Sequence, residues 1–139
     1  MASKIVPVEL DTETLDWLEA CRRETGESES DAVQRLIQEA MRMERHPGIV
    51  FRDGPVGRRP ALLNGPDVWE VIPAVHNARN PSDDAIAVAA ESIGIPVARV
   101  LDAVEYYAEY TDEIDAWIER NERRAKEARA NMERGRASA

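Results

Sequence analysis

Residues 4–41 decide the fold: Lys4-Ile-Val-Pro-Val-Glu-Leu-Asp-Thr-Glu-Thr-Leu-Asp-Trp-Leu-Glu-Ala-Cys-Arg-Arg-Glu-Thr-Gly-Glu-Ser-Glu-Ser-Asp-Ala-Val-Gln-Arg-Leu-Ile-Gln-Glu-Ala-Met41. Val6, Val8 and Leu10 alternate with Ile5, Pro7 and Glu9, which predicts one short strand with an apolar face and a mixed face. Asp11 or Thr12 can cap a helix carrying Leu15, Leu18 and Cys21/Arg22 at helical spacing, and Gly26 stops it. Ser28 and Ser30 are both placed to cap a second helix, with Asp31 in its first turn. Ala32, Val33, Leu36, Ile37, Ala40 and Met41 form its apolar stripe. A lone strand leaves its backbone groups unpaired. A second copy related by a two-fold axis satisfies them in an antiparallel pair and buries the apolar faces. Val6, Val8, Leu10, Leu36 and Ile37 are the expected dimer core.

The pattern Val6-x-Val8-x-Leu10-Asp11, then Leu15 and Leu18, Thr25-Gly26-x-Ser28-x-Ser30-Asp31 and Val33-x-x-Leu36-Ile37, resembles the ribbon-helix-helix (CopG/Arc/MetJ-like) family over about a third of the chain. The resemblance implies an intertwined homodimer. It implies a two-stranded ribbon in the major groove of DNA and helix N-termini on phosphates. On that pattern the DNA-facing residues are Lys4, Ile5, Pro7 and Glu9, with Ser28 and Ser30 at the phosphate site.

Several of these residues depart from a DNA reader. Ile5 suits a thymine methyl, but Pro7 has no amide hydrogen and Glu9 repels phosphate. Acid flanks the phosphate site at Glu27, Glu29 and Asp31. Residues 1–46 hold six basic and eleven acidic side chains, whereas DNA affinity normally draws on lysine and arginine. Two readings stay open for this unit: a DNA-binding dimer, and a dimerisation unit with little or no DNA affinity.

With 139 residues the chain can hold one domain or two small ones. No apolar run approaches the roughly 20 residues of a membrane span, and no basic-then-apolar leader is apparent, so no membrane partner is expected. The single cysteine, Cys21, excludes an intrachain disulfide, which suits a reducing cytoplasm. Cys21 reads as a small core or interface residue rather than a reactive thiol. His46 and His76 stand alone, and no glycine-rich phosphate loop or nucleophile motif occurs. Enzyme activity, a cofactor and a metal are therefore not expected.

Arg45-His46-Pro47-Gly48 ends the second helix. Ile49–Arg52 and Pro60–Leu63 then suggest a small β-hairpin, with Arg52, Arg58 and Arg59 as a basic spot on a solvated loop tip or as a phosphate or carboxylate contact. Asn64-Gly65-Pro66-Asp67 reads as turn and cap. A helix from Val68 to about Arg79 follows. A second opens at Pro81-Ser82 and ends at Gly94, and a third opens at Pro96. Val97, Val100, Leu101, Val104 and Tyr107 mark the third helix's buried face. Tyr106 and Tyr110 then share an adjacent, partly exposed face, where tyrosine favours a partner. Trp69 and Trp117 are expected in the core.

Gly65-x-x-Val68-Trp69-x-Val71-Ile72, the next two helices, and Val104-x-Tyr106-Tyr107-x-x-Tyr110-x-Asp112-Glu113-Ile114-Asp115 resemble the small helix-turn-helix-like domain of VapB-type antitoxins. The usual partner implied is a PIN-like ribonuclease toxin. Residues 65–118 hold two basic and eleven acidic side chains, so packing or partner binding suits this module better than DNA reading. Residues 119–136 reverse the sign, with seven basic side chains against four glutamates. Helix is expected from Thr111, which can cap it, with fraying at Gly135 to Ala139. This tail reads as a solvated charged end or as a segment that orders on a partner. The resemblance implies that an arginine such as Arg123, Arg124 or Arg129 enters the acidic site of the nuclease.

The expected architecture is mainly α. A ribbon-helix-helix unit spans 1–45 and a hairpin or linker 46–64. An acidic helical domain covers 65–118 and a basic helix or tail 119–139. The expected function is a cytoplasmic, homodimeric antitoxin that binds a PIN-like ribonuclease, with expected contacts at Tyr106, Tyr110, Arg123, Arg124 and Arg129, and with operator DNA as a second ligand. The alternative is a stand-alone transcriptional regulator.

Overall fold

The computed structural model describes residues 2–54, 57–77 and 83–137. The chain is mainly helical with one antiparallel hairpin. Its elements are α1 (Thr12–Thr25), α2 (Glu29–Arg45), β1 (Ile49–Arg52), β2 (Arg59–Leu62), α3 (Val68–His76), α4 (Asp83–Ile93), α5 (Val97–Glu109) and α6 (Thr111–Ala137). It divides into two compact units at 42/43, three residues before the expected boundary at 45/46.

In the first unit local chemistry sets the helix ends. Asp11 Oδ1 accepts from the Thr14 amide at 2.7 Å and starts α1. Gly26, at φ 74°, ends it and donates its amide to the Arg22 carbonyl. Ser28 Oγ accepts from the Asp31 amide at 3.1 Å, while Ser30 lies inside α2. Ser28→Ala should therefore destabilise this unit by about 1 kcal/mol. Thermal melting at fixed chain concentration measures it, with Ser30→Ala as the near-silent comparison.

The expected strand does not form in the single chain. Residues 2–10 belong to no helix or sheet, and Val6, Val8 and Leu10 are exposed. The reason is elementary: a strand is held by a neighbour, and this unit contains no second segment to pair with. Of the expected α2 stripe only Ala32 is buried, and Ile37 is 64% exposed. Leu18 and Ala32 are the buried apolar side chains of the whole unit. Glu39 is buried instead, held by Arg35 Nη1 at 3.1 Å, while Arg35 Nε reaches Glu27 at 2.9 Å. Burial opposes the arginine's charge, but the two carboxylates outweigh it and hold its pKa above the ordinary value.

The second unit has an apolar core. Ile49 pairs with Leu62 in the β1–β2 register, and both side chains are buried. Val68, Val71 and Ile72 of α3, Ala89 and Ala90 of α4, Val100, Ala103 and Tyr106 of α5, and Ile114 of α6 complete it. Fully burying each larger side chain contributes about 1.5–3 kcal/mol. Gly94, at φ 83°, ends α4, and Pro96 sits at the start of α5. The expected extension of α3 to Arg79 and the Pro81-Ser82 helix start lie outside the described residues.

Four expectations are corrected here. The buried face of α5 is Val100–Ala103–Tyr106, one position away from the expected Val104–Tyr107 face. Tyr106 is wholly buried, so it is a core residue and not a partner contact. Tyr107 is half-buried, and its hydroxyl donates to Asp115 Oδ1 at 2.7 Å. Thr111 does not cap α6 but is its first residue, its hydroxyl donating to the Tyr107 carbonyl at 2.7 Å. The helix also continues through Gly135 to Ala137, past the expected fraying point. No described helix is long and apolar enough to cross a membrane.

Candidate functional site

The first unit presents its expected dimer residues to solvent. Val6, Val8, Leu10 and Ile37 are exposed, Leu36 is half-buried, and Leu15, Trp17 and Met41 are exposed beside them in sequence. A 42-residue unit with so little buried apolar surface sits close to the roughly 40-residue size below which a fold usually needs a disulfide, a metal or a partner copy. The outward strand residues Lys4, Ile5, Pro7 and Glu9 are exposed as expected, as are Ser28 and Ser30.

Electrostatics around the α2 N-terminus are unfavourable for phosphate. Glu29 and Asp31 occupy the first turn, and the Ser28 hydroxyl is engaged by the Asp31 amide. Arg22 is committed to Glu19 at 2.9 Å and Glu29 at 3.7 Å, and Arg35 to Glu27 and Glu39. Internal carboxylates thus neutralise cations that a phosphate contact would need.

In the second unit, Arg45 and His46 are held to α5. His46 Nε2 lies 2.6 Å from Glu109 Oε2, and Arg45 Nη1 lies 3.1 Å from Glu109 Oε1. The His46 ring also sits edge-on to Tyr106, with centroids 5.3 Å apart. Tyr110, half-buried, stacks on Tyr106 at 4.6 Å. The hydrogen bond from His46, aided by the charges of His46 and Arg45, holds the Glu109 carboxyl below its ordinary pKa of 4.5. A depressed folded-state pKa adds stability above the unfolded value and loses it as pH falls through the folded one. Melting temperature should thus begin to fall below about pH 4.5, and Glu109→Gln should flatten that part of the profile. A profile unchanged by the substitution would remove Glu109 from the acid response.

The basic hairpin spot is absorbed by structure. Arg52 donates to the Gly65 and Leu62 carbonyls at 2.8 and 2.9 Å. Arg58 pairs with Asp53 at 3.2 Å, and Arg59 Nε pairs closely with the nearly buried Asp67.

That last pair forms the floor of a cleft of about 220 Å³, which the sequence reading missed. Trp69 Nε1 donates to Asp67 Oδ2 at 3.1 Å, and Glu70 Oε2 accepts from the Asp67 amide at 2.8 Å. The opposite wall is α6, which supplies Trp117, Arg120, Asn121 and Arg124. Trp69 packs half-buried against the core and also lines this cleft, whereas the half-buried Trp117 lines the cleft outside the core cluster. The Arg120 guanidinium lies 4.6 Å from the Trp117 ring centroid. The available signal was the spacing Trp117–Asn121–Arg124, one face of a helix.

Of the expected tail contacts, Arg124 lines this cleft, Arg123 pairs with Glu119 at 3.2 Å, and Arg129 is exposed. Every residue from Glu119 to Ala137 is exposed. No group of three or more His, Cys, Asp or Glu side chains is placed to hold a metal among the described residues. No protein-family model, no curated protein and no solved structure matches this chain.

Proposed function

We propose that this chain is an antitoxin. In this reading its first unit joins two copies through a ribbon of paired strands, and its second unit, with the α6 tail, binds and blocks a toxin protein. The observation that carries the reading is α6 beyond Ile118: nineteen helical residues, all exposed and net basic, following an acidic module. An exposed helix with this charge adds nothing to the buried core of its own unit and suits an acidic partner. The two sequence resemblances name the partner's class, a PIN-like ribonuclease whose metal-binding carboxylates would receive Arg123, Arg124 or Arg129. The helix-turn-helix-like character of α4 and α5, and a cytoplasmic setting, belong to the same proposal. Repression of the chain's own operon is a secondary activity, weakened by the acid around α2 and by Glu9.

The test is genetic and biochemical together. The product of the adjoining gene should arrest growth when expressed alone, and co-expression of this chain should restore growth and yield a co-purifying complex. A variant with Arg123, Arg124 and Arg129 changed to Glu should lose most of that protection. An adjoining product that neither arrests growth nor binds the chain would end the antitoxin reading.

A further inference from the structure

We propose that the cleft between α3 and α6 is a binding site for a planar aromatic carboxylate. Its ring would lie against the indoles of Trp69 and Trp117, and its carboxylate on Arg120, Arg124 and the Asn121 amide. This goes beyond the antitoxin reading and does not depend on it.

Charge separates the floor of the cleft from its rim. On the floor, Asp67 is matched by Arg59 and Trp69, while Glu70 is exposed at the edge and accepts from the Asp67 amide. These groups are satisfied and supply a fixed surface. On the rim, Arg120 and Arg124 meet no carboxylate among the described residues. The Arg120 guanidinium carbon lies 4.6 Å from the centre of the Trp117 ring instead. With no internal carboxylate to bind, its N–H donors can grip an incoming one with two parallel bonds. Arg120 and Arg124 are four residues apart, so both reach the same side of α6.

Size and surrounding charge narrow the ligand. A space of roughly 150 Å³ is enough for a benzene ring, and the cleft of about 220 Å³ leaves room for one carboxylate as well. A nucleotide needs more room than a cleft of about 220 Å³ offers. A simple cation is disfavoured by the two rim arginines. Two sources carry the favoured chemistry: a free aromatic acid, and the C-terminal aromatic residue of a peptide.

Nuclear magnetic resonance of the nitrogen-labelled full chain tests the site through the indole N–H signals of Trp69 and Trp117. The probes are benzoate, indole-3-acetate and N-acetyl-tryptophan at constant ionic strength, with their neutral amides and inorganic phosphate as comparisons. Saturable shifts are expected for the acids, with Kd on the order of 0.1–1 mM. The amides should bind about tenfold more weakly. Arg120→Gln and Arg124→Gln should each weaken the acids about tenfold. Both positions are exposed, and the unchanged remainder of the spectrum shows that the fold is kept. Arg129→Gln, outside the cleft, should change nothing. Tighter binding of indole-3-acetate assigns a free acid as ligand, and tighter binding of N-acetyl-tryptophan assigns a chain terminus. The proposal is overturned if no saturable shift occurs or if amides match acids. Phosphate competing at the same concentration, or Arg129→Gln acting like Arg124→Gln, overturns it equally.

Discussion

Val8→Asp should turn the chain from dimer to monomer at micromolar concentration in sedimentation equilibrium. Val6, Val8 and Leu10 stand at alternate positions of an unpaired segment and are exposed in the single chain. In the proposed ribbon each faces its twin, so one substitution places two carboxylates in the shared core. Desolvating an unpaired ion costs several kcal/mol. A total penalty of about 4 kcal/mol raises the dissociation constant roughly a thousandfold. Ile5→Asp, on the outward face, provides the contrast and should leave the dimer intact. A parent chain that sediments as a monomer would refute the proposed assembly outright. A dimeric Val8→Asp variant would instead move the interface away from the ribbon.

Tyr106→Ala should destabilise the second unit by about 3–5 kcal/mol in urea denaturation. The ring is fully buried between Val100, Ala103 and Ile114 and carries the edge of His46 and the tilted face of Tyr110. Its removal leaves a void that the helices of the unit cannot close without breaking the His46–Glu109 clamp. Tyr106→Phe keeps the ring and should cost about 1 kcal/mol. The half-buried Tyr110 should tolerate Ala better than Tyr106 does. Any loss of partner binding in Tyr106→Ala should therefore track unfolding, and a temperature low enough to keep the variant folded should restore it. Binding lost in a demonstrably folded Tyr106→Ala protein would reinstate Tyr106 as a contact.

Local signals in the sequence were readable because they act within a few residues. The Asp11 and Ser28 caps, the Gly26 and Gly94 stops, the helix break at Pro47-Gly48 and the β1–β2 hairpin all depend on backbone chemistry of that range. Features set by tertiary contacts were not readable. The α5 pattern offers apolar residues at positions 97, 100, 101, 103, 104, 106 and 107, so several faces compete. The hairpin and α3 choose among them by burying Tyr106. Glu39 stands four residues after Arg35, a spacing at which helical charges pair, but that spacing does not reveal that Glu39 is buried. The cleft was hidden for a similar reason, since Trp69 and Trp117 are 48 positions apart in the chain.

The long α6 helix has a kinetic consequence. At a rise of about 1.5 Å per residue, the nineteen exposed residues after Ile118 carry their positive charge out over roughly 28 Å. The stretch before them is strongly negative. The second unit is therefore an electric dipole. Such a body is turned by the field of an approaching charged partner before any contact is made. The tail leads toward an acidic surface, and encounters in the wrong orientation become rarer. The advantage belongs to the association rate, and it fades as salt shortens the range of the field.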